Sequence, residues 1–232
     1  MSKIAAIVPA LNEEKTIAAV VKTLVDSRVF DDIIVISDGS TDHTAERARE
    51  AGATVHELPY HLGRGRKGQA LEHAITHTDA EMIAFFDADL IGLTVDHVKK
   101  LVMPVMNGEL AMNTGWRDRG PFNNFIQMHF MPLIGGERVM QRSIFEAIPE
   151  KYLRGFMIES ATNYYCRANK LKYGGTLLPG LTMRKKYQKV GWLKALGEYI
   201  FMYWQVLKAM AIVRAHARDF KDHFIHEKHH DS

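Results

Sequence analysis

The chain has 232 residues, of which 47% are hydrophobic and 25% charged; this suits one globular domain with a full core and excludes a disordered chain or a membrane channel. Its single cysteine, Cys166, excludes an internal disulfide and a clustered cysteine zinc site, and it favours a reducing, cytoplasmic compartment. The net charge of +3 is too small to indicate a nucleic-acid partner.

The first hundred residues alternate between strand and helix patterns. Short apolar runs rich in β-branched residues predict strands, and apolar residues at helical spacing predict the helices between them. The predicted strands cover residues 4–8, 32–37, 53–57 and 82–86, and the predicted helices cover 13–27, 44–51 and 68–78. Such alternation is typical of a parallel sheet with helices on both faces. We therefore predict an α/β fold whose ligands gather beyond the carboxyl ends of the strands.

The second half of the chain is less regular. Its patterns predict helices over 94–106, 143–148 and 158–170, and strands over 109–114 and 175–183. Residues 192–220 alternate apolar and aromatic side chains with lysine and arginine, as in an amphipathic helix. Polar residues such as Glu198 and Lys208 interrupt any stretch long enough to cross a membrane. This helix is expected to pack on the core or to form a homodimer contact, with an anionic membrane surface as the alternative partner.

Acidic residues follow the fourth predicted strand. In the motif Asp87-Ala88-Asp89, two carboxylates emerge at the strand end and point towards the ligand crevice. Mg²⁺ and Mn²⁺ prefer oxygen ligands and are often held by one or two carboxylates together with substrate phosphates. The motif alone does not distinguish such a metal site from a polar turn.

Two more polar clusters follow the first and second strands. Residues 38–42, with the sequence DGSTD, offer the Asp38 carboxylate as an acceptor for a base N–H, and the helix start that follows suits anionic groups. Residues 9–14, with the sequence PALNEE, form the third cluster. A capped helix start is the simpler interpretation of either cluster, but their coincidence at one sheet edge favours a ligand site.

Together the three clusters resemble the family 2 glycosyltransferases of the GT-A fold, over about the first hundred residues. The resemblance implies transfer of a sugar from a UDP- or GDP-linked donor with Mg²⁺ or Mn²⁺ as cofactor. It implies that Asp87 and Asp89 bind the metal, that Asp89 is catalytic, and that the D-x-D motif also contacts the ribose and diphosphate. The donor-binding residues implied by the three motifs are Pro9, Ala10, Leu11, Asn12, Glu13, Asp38, Asp87 and Ala88.

A basic segment, residues 63–68 with the sequence GRGRKG, follows the third strand. It lacks the context of a dinucleotide-binding fingerprint, because it does not follow the first strand and has no matching ribose acid. In the resembled family a similar segment lies beside the donor, which implies that Lys67 and Gly68 contact its phosphates. A solvated basic loop is the alternative.

The second half resembles glucosyl-3-phosphoglycerate synthases more loosely. That resemblance implies that Gly135, Gly136, Glu137 and Arg142 lie near the acceptor, and that Glu159 is a base or positions the acceptor. An ordinary helix-cap acid is the alternative for Glu159. Arg117 lies in a segment that suits an acceptor phosphate or carboxylate, or else in a plain surface loop.

Such relatives often supply a further histidine ligand to the metal after the last strand. Here residues 183–187 read MRKKY, so the third ligand is undefined. Lys185 or Arg184 can instead neutralise the departing diphosphate.

These implications divide the chain into a GT-A domain over residues 1–190 and a C-terminal helix with a histidine-rich tail over 191–232. Residues 1–92 form the donor-binding half of the domain and 93–190 the acceptor-binding half. The acceptor is unknown, with polyprenyl phosphate and a small phosphorylated acid as the alternatives. The first would place the cytoplasmic protein on the inner face of the membrane. Nucleotidyl transfer and non-catalytic nucleotide binding remain the other functional alternatives.

Overall fold

The computed structural model describes residues 2–59, 67–117, 135–153, 157–183, 208 and 211–215, with the backbone only for 67–69. The strands are β1 Ile4–Ala10, β2 Asp32–Asp38, β3 Thr54–Leu58, β4 Met82–Phe85, β5 Leu90–Ile91, β6 Met112–Arg117, β7 Arg138–Gln141, β8 Tyr173–Leu178 and β9 Thr182–Met183. The helices are α1 Ile17–Ser27, α2 Thr44–Glu50, α3 Lys67–Ile75, α4 Val95–Met106, α5 Arg142–Glu146 and α6 Met157–Ala168, with a 3₁₀ turn at Glu150–Tyr152.

Seven strands form one sheet in the order β3-β2-β1-β4-β7-β6-β8. Strands β3, β2, β1 and β4 pair in parallel, and β6 pairs in parallel with β8. Only β7 among these seven runs the other way, because it is antiparallel to both β4 and β6. The predicted mostly parallel α/β sheet is confirmed, and it runs without a break through the two halves expected on either side of residue 92.

Helices cover both faces of the sheet. Helices α1, α2 and α4 bury their apolar sides in one core cluster, and α3, α5 and α6 bury theirs in the other. Strand β1 contributes to both clusters, since Ala6 and Val8 face the first and Ile7 faces the second. This two-sided burial explains why the β1 sequence is apolar almost throughout rather than alternating.

Two of the differences between the predicted and the observed elements bear on the site. Strand β7 was not predicted, because its first residue, Arg138, is a charged residue inside a central strand and breaks the apolar pattern. The single strand expected over 175–183 is divided, with Gly180 at φ +78° in the turn between β8 and β9. The Pro179-Gly180 pair is a turn signal. After this turn β9 leaves the main sheet and pairs with β5.

The predicted C-terminal helix is described only in part. Residues 208 and 211–215 are helical, and Val213 is buried in the core cluster that also contains α6. Across the part of the chain that the structure describes, no helix has the length and apolar content needed to cross a bilayer. The rest of residues 192–220 and the histidine-rich tail lie outside the described residues.

Candidate functional site

The loops after β1 and β2 interlock at the carboxyl edge of the sheet. The Asn12 side chain accepts a hydrogen bond from the Thr41 backbone N–H at 2.8 Å, and the Asn12 backbone N–H donates to the Ser40 hydroxyl at 3.1 Å. The Glu13 N–H donates to the Thr44 hydroxyl at 2.8 Å. The two motifs that were expected to share the donor therefore form one hydrogen-bonded rim. Residues 13–16 form a turn in which the Thr16 and Ile17 N–H groups donate to the Glu13 carbonyl, so α1 starts at Ile17 rather than at residue 13.

The two acids of the second loop have different surroundings. Asp42 accepts backbone hydrogen bonds from Glu14 at 3.2 Å and Thr44 at 3.0 Å. Partial burial tends to raise the pKa of Asp42, but these bonds and the Thr44 hydroxyl outweigh it and lower that pKa. Asp38 is half-buried at the end of β2, and its carboxylate has no hydrogen-bond or ion-pair partner among the described residues. Asp42 therefore stabilises the loop, whereas Asp38 is available to a ligand.

The other donor residues from the first motif end β1. Pro9 is half-buried, Ala10 is buried, and Leu11 is an exposed apolar side chain at the rim, 44% accessible. An exposed leucine beside Asp38's loop offers an apolar surface to a planar base. The arrangement can hold a nucleoside between an apolar contact and a hydrogen-bond acceptor.

Asp87 and Asp89 follow β4, as predicted, at the same edge of the sheet. Ala88 and Asp89 are buried, at 4% and 6% exposure. The Asp87 carboxylate accepts a hydrogen bond of 2.8 Å from the guanidinium of Arg117, the last residue of β6. The same guanidinium nitrogen donates to Glu137 at 2.6 Å. Arg117 therefore joins the first acid of the D-x-D motif to a second carboxylate.

The sheet order explains this meeting of three charged side chains. Because β7 is antiparallel to β4 and β6, its beginning lies beside their carboxyl ends. Glu137 immediately precedes β7, and Arg117 and Asp87 come at the ends of the two flanking strands. Side chains separated by 20 and 30 residues along the chain are thus brought together.

Burial controls the protonation of this triad. Burial of Glu137 and the nearby charge of Asp87 raise the pKa of the Glu137 carboxyl, although Arg117 opposes both effects. Burial also tends to lower the pKa of Arg117, but the two carboxylates outweigh it and raise that pKa above its ordinary value. Arg117 therefore stays charged. The Glu137 Oε2 atom is buried and has no hydrogen-bond partner among the described residues, so the site keeps an unsatisfied oxygen acceptor.

The two glycines before Glu137 are required by close packing. A Cβ atom on Gly136 would lie 2.3 Å from the Asp87 Oδ2 atom, and one on Gly135 would lie 2.4 Å from the Gly115 carbonyl oxygen. Real Cβ contacts are never this short, so any other residue would displace the Asp87 carboxylate or the β6 backbone. Gly136 therefore shapes the D-x-D site directly. Glu137 is fully buried, which makes it a positioning residue for Arg117 rather than a direct acceptor contact.

The donor set of this site fits a hard divalent cation. Asp87 and Asp89 supply carboxylate oxygens, the ligands that Mg²⁺ and Mn²⁺ prefer, and neither histidine nor cysteine accompanies them in the described part of the site. A cation bound here would need further oxygen ligands from a diphosphate or water. Asp89 is followed by β5, whose Leu90 pairs with Met183 in β9. Met183 therefore lies beside the residue that follows Asp89, and Lys185 lies outside the described residues.

A mostly apolar cleft adjoins the glycines. Its lining residues are Leu71, Phe85, Gly135, Gly136, Arg138, Met140, Ile158 and Glu159. Glu159 lies in the first turn of α6 and is half-buried. Gly136 contributes both to this cleft and to the packing around Asp87. The cleft has a volume of about 20 Å³, room for about one water molecule, and it places Glu159 near the glycine that packs against Asp87.

Arg138 is a site residue that sequence analysis missed. Its guanidinium donates to the Glu159 carbonyl oxygen and to the Asn163 side chain, both at 3.3 Å, and also to the Thr162 hydroxyl. Full burial lowers the pKa of Arg138, and the Glu159 carboxylate opposes this effect. The interaction fixes the start of α6 against β7. Its only sequence signal was an arginine within a short apolar run.

The described side chains do not place three of the predicted site residues beside the D-x-D motif or Glu159. Arg142 lies at the opposite edge, where its N–H donates to the Glu81 carbonyl and its side chain bonds to Glu146 and the Thr78 carbonyl, each at 2.6 Å. Arg142 is therefore at the other end of β7 from Glu137 and does not line the cleft, because β7 runs antiparallel to β4 and β6. Lys67 and Gly68 begin α3, but their side chains lie outside the described residues.

Comparison with known proteins agrees with this fold. The chain is 41% identical over 113 residues to glucosyl-3-phosphoglycerate synthase of Mycobacterium tuberculosis, covering 46% of this chain and 35% of that protein. It is 40% identical over 99 residues to 4,4'-diaponeurosporenoate glycosyltransferase of Staphylococcus aureus, covering 41% of this chain and 26% of that protein. The chain thus matches about a third, or less, of the length of these curated relatives.

Solved structures match a larger part of the chain. The M. tuberculosis synthase in complex with Mg²⁺ and uridine-diphosphate superimposes with a TM-score of 0.73 and 25% identity, over 91% of this chain and 79% of that one. Its complex with Mn²⁺, UDP-glucose and phosphoglyceric acid gives a TM-score of 0.69, with 25% identity and the same coverage. The family model described as "Glycosyl transferase family 2" matches residues 5–170, and we conclude that the chain belongs to that family.

Proposed function

We propose that the chain transfers a hexose from a UDP-sugar to a small acceptor, with a divalent cation held by Asp89 and Asp87. The observation that carries the proposal is the position of the D-x-D motif, which lies at the same sheet edge as the interlocked loops after β1 and β2. A nucleoside bound by those loops would extend its diphosphate towards the two aspartates. The M. tuberculosis synthase, which shares this fold, binds UDP together with Mg²⁺.

Different residues of the chain bind different parts of the donor. The Asp38 carboxylate accepts a hydrogen bond from an N–H of the base, and Leu11 covers the base with apolar surface. Arg117 holds Asp87 in place, while Gly136 leaves the space that the carboxylate needs. When bound, a divalent cation would offset the negative charge of the diphosphate as the sugar leaves. The low exposure of Asp89 excludes competing water and strengthens this electrostatic effect.

In this proposal the acceptor binds beside Glu159, on the side of the glycines that pack against Asp87. Arg138 fixes the first turn of α6, and with it the position of Glu159, through the Glu159 carbonyl. Glu159 then positions an acceptor hydroxyl, or accepts its proton if the acceptor requires a base. A phosphate or carboxylate oxygen as acceptor would need no base.

Two observations favour a small anionic acceptor over a polyprenyl phosphate. The structural neighbour binds phosphoglyceric acid together with UDP-glucose and Mn²⁺. Val213, in the C-terminal segment proposed as a membrane anchor, packs into the protein's own core. Contact with an anionic membrane, a cytoplasmic location and homodimer formation stay predictions.

The test is substitution of Asp89 by asparagine in the full chain. Incubated with UDP-glucose, Mn²⁺ and phosphoglyceric acid, the parent protein is expected to release UDP and form a glucosylated product. The D89N variant should be at least about 100-fold slower, because electrostatic stabilisation by a bound metal is worth several kcal/mol. D79N is the matched control, since Asp79 is an exposed acid that pairs with Lys3 at the opposite sheet edge.

The products distinguish the rival functions. Release of pyrophosphate instead of UDP would indicate nucleotidyl transfer. Equal activity of D89N and D79N would remove the metal role from Asp89, and absence of any donor turnover by the parent would favour a nucleotide-binding module. Transfer only to polyprenyl phosphate in anionic vesicles would overturn the small-acceptor assignment while leaving the donor site intact.

A further inference from the structure

Three histidines form a second cluster on the outer edge of the sheet. His56 lies in the edge strand β3, His73 lies in α3, and His77 follows the end of that helix. One ring nitrogen from each side chain lies within 4.8 Å of the others. Neither the donor loops nor the D-x-D motif uses these residues, so the cluster is independent of the site described above.

The fold directs the three rings towards one another. His56 and Leu58 are two residues apart in β3 and share a face, and Leu58 packs against the core cluster that contains α3. His73 and His77 are four residues apart, which places them on one side of a helical turn. The ring centroids are 5.4 Å apart for His56 and His73, and 4.4 Å apart for each pair that includes His77.

A backbone contact selects the tautomer of His77. Its Nδ1 atom lies 2.8 Å from the His73 carbonyl oxygen, which can only accept a hydrogen bond. The hydrogen is therefore on Nδ1, and Nε2 carries the lone pair that can bind a metal. Metal-binding histidines usually donate their other ring N–H to a carbonyl or carboxylate in this way.

The other two rings favour the same chemistry. Partial burial and the charge of neighbouring imidazoles lower the pKa of His56 and of His73. Three imidazole rings in contact would also pack against one another without a metal, so the proposal has to be tested with the ion itself.

We propose that His56, His73 and His77 bind one borderline transition-metal ion, preferentially Zn²⁺, and thereby tie the edge strand β3 to helix α3. Three imidazoles suit zinc and its neighbours in the transition series, whereas Mg²⁺ and Mn²⁺ prefer the carboxylates of the other site. In a tetrahedral zinc site with bonds of about 2.0–2.1 Å, the ligand nitrogens lie about 3.3 Å apart. Rotation of the exposed His77 ring and small shifts of its half-buried neighbours close the remaining distance. Water takes the fourth position.

The experiment must exclude the histidine-rich tail, which can bind metals adventitiously. The parent for the test is therefore the full chain with the substitutions H223Q, H226Q, H229Q and H230Q, stripped by chelation. Titration calorimetry with ZnCl₂ is performed with excess Mg²⁺ to occupy carboxylate sites. One equivalent of Zn²⁺ is expected to bind to this parent.

The variants H56Q, H73Q and H77Q should each weaken zinc binding by at least about 10-fold, because each removes a ligand. H43Q is the matched control: His43 is an exposed histidine paired with Glu46 outside the cluster, and zinc binding should not change. Unchanged binding by the three cluster variants would overturn the proposal. Equal melting temperatures in chelator would show that each variant is folded.

Crystals of the parent grown with Zn²⁺ give a test that needs no variant. An anomalous peak at the zinc absorption edge is expected between the three imidazoles. A peak elsewhere, or none at this cluster, would refute the proposal. Neither readout involves sugar transfer, so this result is independent of the proposed enzymatic function.

Discussion

The guanidinium of Arg117 lies 2.8 Å from the Asp87 carboxylate, so the first acid of the D-x-D motif is held by a protein cation. Arg117 also neutralises the buried Glu137. Two carboxylates thus share one guanidinium, and Asp89 adds a third acid two residues after Asp87. A divalent cation would bind to the carboxylate oxygens of this group.

Replacing Arg117 by alanine is expected to destabilise the protein by about 3–5 kcal/mol, because the substitution leaves Glu137 buried without its cation. The pKa of Glu137 is already raised in the folded protein, and it should rise further in R117A. The folded state then holds its proton more tightly than the unfolded state. Stability should therefore be highest at acidic pH and should fall as pH rises through the folded-state pKa. Urea unfolding from pH 5 to pH 8 measures this dependence.

The double variant R117A/E137Q provides the control for that experiment. Glutamine removes the buried charge, so the pH dependence added by R117A should disappear. A loss of stability in R117A that is equal at every pH would mean that packing, and not the charge of Glu137, causes it.

Substituting Gly136 by alanine should weaken Mn²⁺ binding by at least about 10-fold, a loss comparable with that from altered support of a metal ligand. The added Cβ would lie 2.3 Å from the Asp87 carboxylate and must displace it. Paramagnetic relaxation of water by bound Mn²⁺ measures the affinity. G108A is the control, because Gly108 has open space around its Cβ and a positive φ of 73°. G108A should lose stability, as G136A does, but should keep the Mn²⁺ affinity of the wild type. Equal Mn²⁺ affinity in G136A and G108A would contradict the role of Gly136.

Much of this site follows from rules that operate locally along the chain. The apolar runs of β1, β2 and β4 are long enough to predict strands, and parallel strands place the following loops at one edge. The meeting of Asp38, Asp87 and Asp89 at that edge could therefore be predicted without coordinates. The hydrogen bond between Asn12 and the Thr41 N–H could not, because it depends on the detailed path of two loops.

The features that the sequence did not predict depend on contacts between residues that are distant in sequence. Arg138 is stabilised inside a central strand by Thr162 and Asn163, which are 24 and 25 residues away. Hydrophobic periodicity cannot predict that distant polar groups will satisfy a buried arginine, so β7 was not predicted. The antiparallel direction of β7, which places Arg142 at the far edge of the sheet, was therefore not predicted either. The histidine cluster was missed for the same reason, since strand β3 and helix α3 have to be packed together before His56 meets His73.

Asn12 should be important because its backbone has a positive φ of 55° while its side chain bridges the two donor loops. N12G keeps the backbone conformation but loses the hydrogen bond, so it should cost about 1 kcal/mol of stability. N12A loses the bond and also adds left-handed strain of about 1–2 kcal/mol. Urea denaturation should therefore rank the wild type above N12G and N12G above N12A. The affinity for UDP should fall in both variants. Unchanged affinity would show that the hydrogen bond between Asn12 and Thr41 is not needed for donor binding.

Acidification should destabilise the metal-free protein through the histidine cluster. The pKa values of His56 and His73 lie below the ordinary value of 6.5 in the folded state. Below that pH the unfolded chain therefore takes up protons before the folded protein does, and the equilibrium shifts towards unfolding. In chelator, the urea midpoint should be level above about pH 7 and should fall as the pH decreases from 6.5 to 5.5.

The fall should be smaller in H73Q, which removes one titrating ring and its repulsion of His56, and the same as wild type in H43Q. An equal fall in H73Q and wild type would assign the acid sensitivity to other groups. Added Zn²⁺ should raise the midpoint at pH 7 more in the wild type than in variants that lack one of the three histidines.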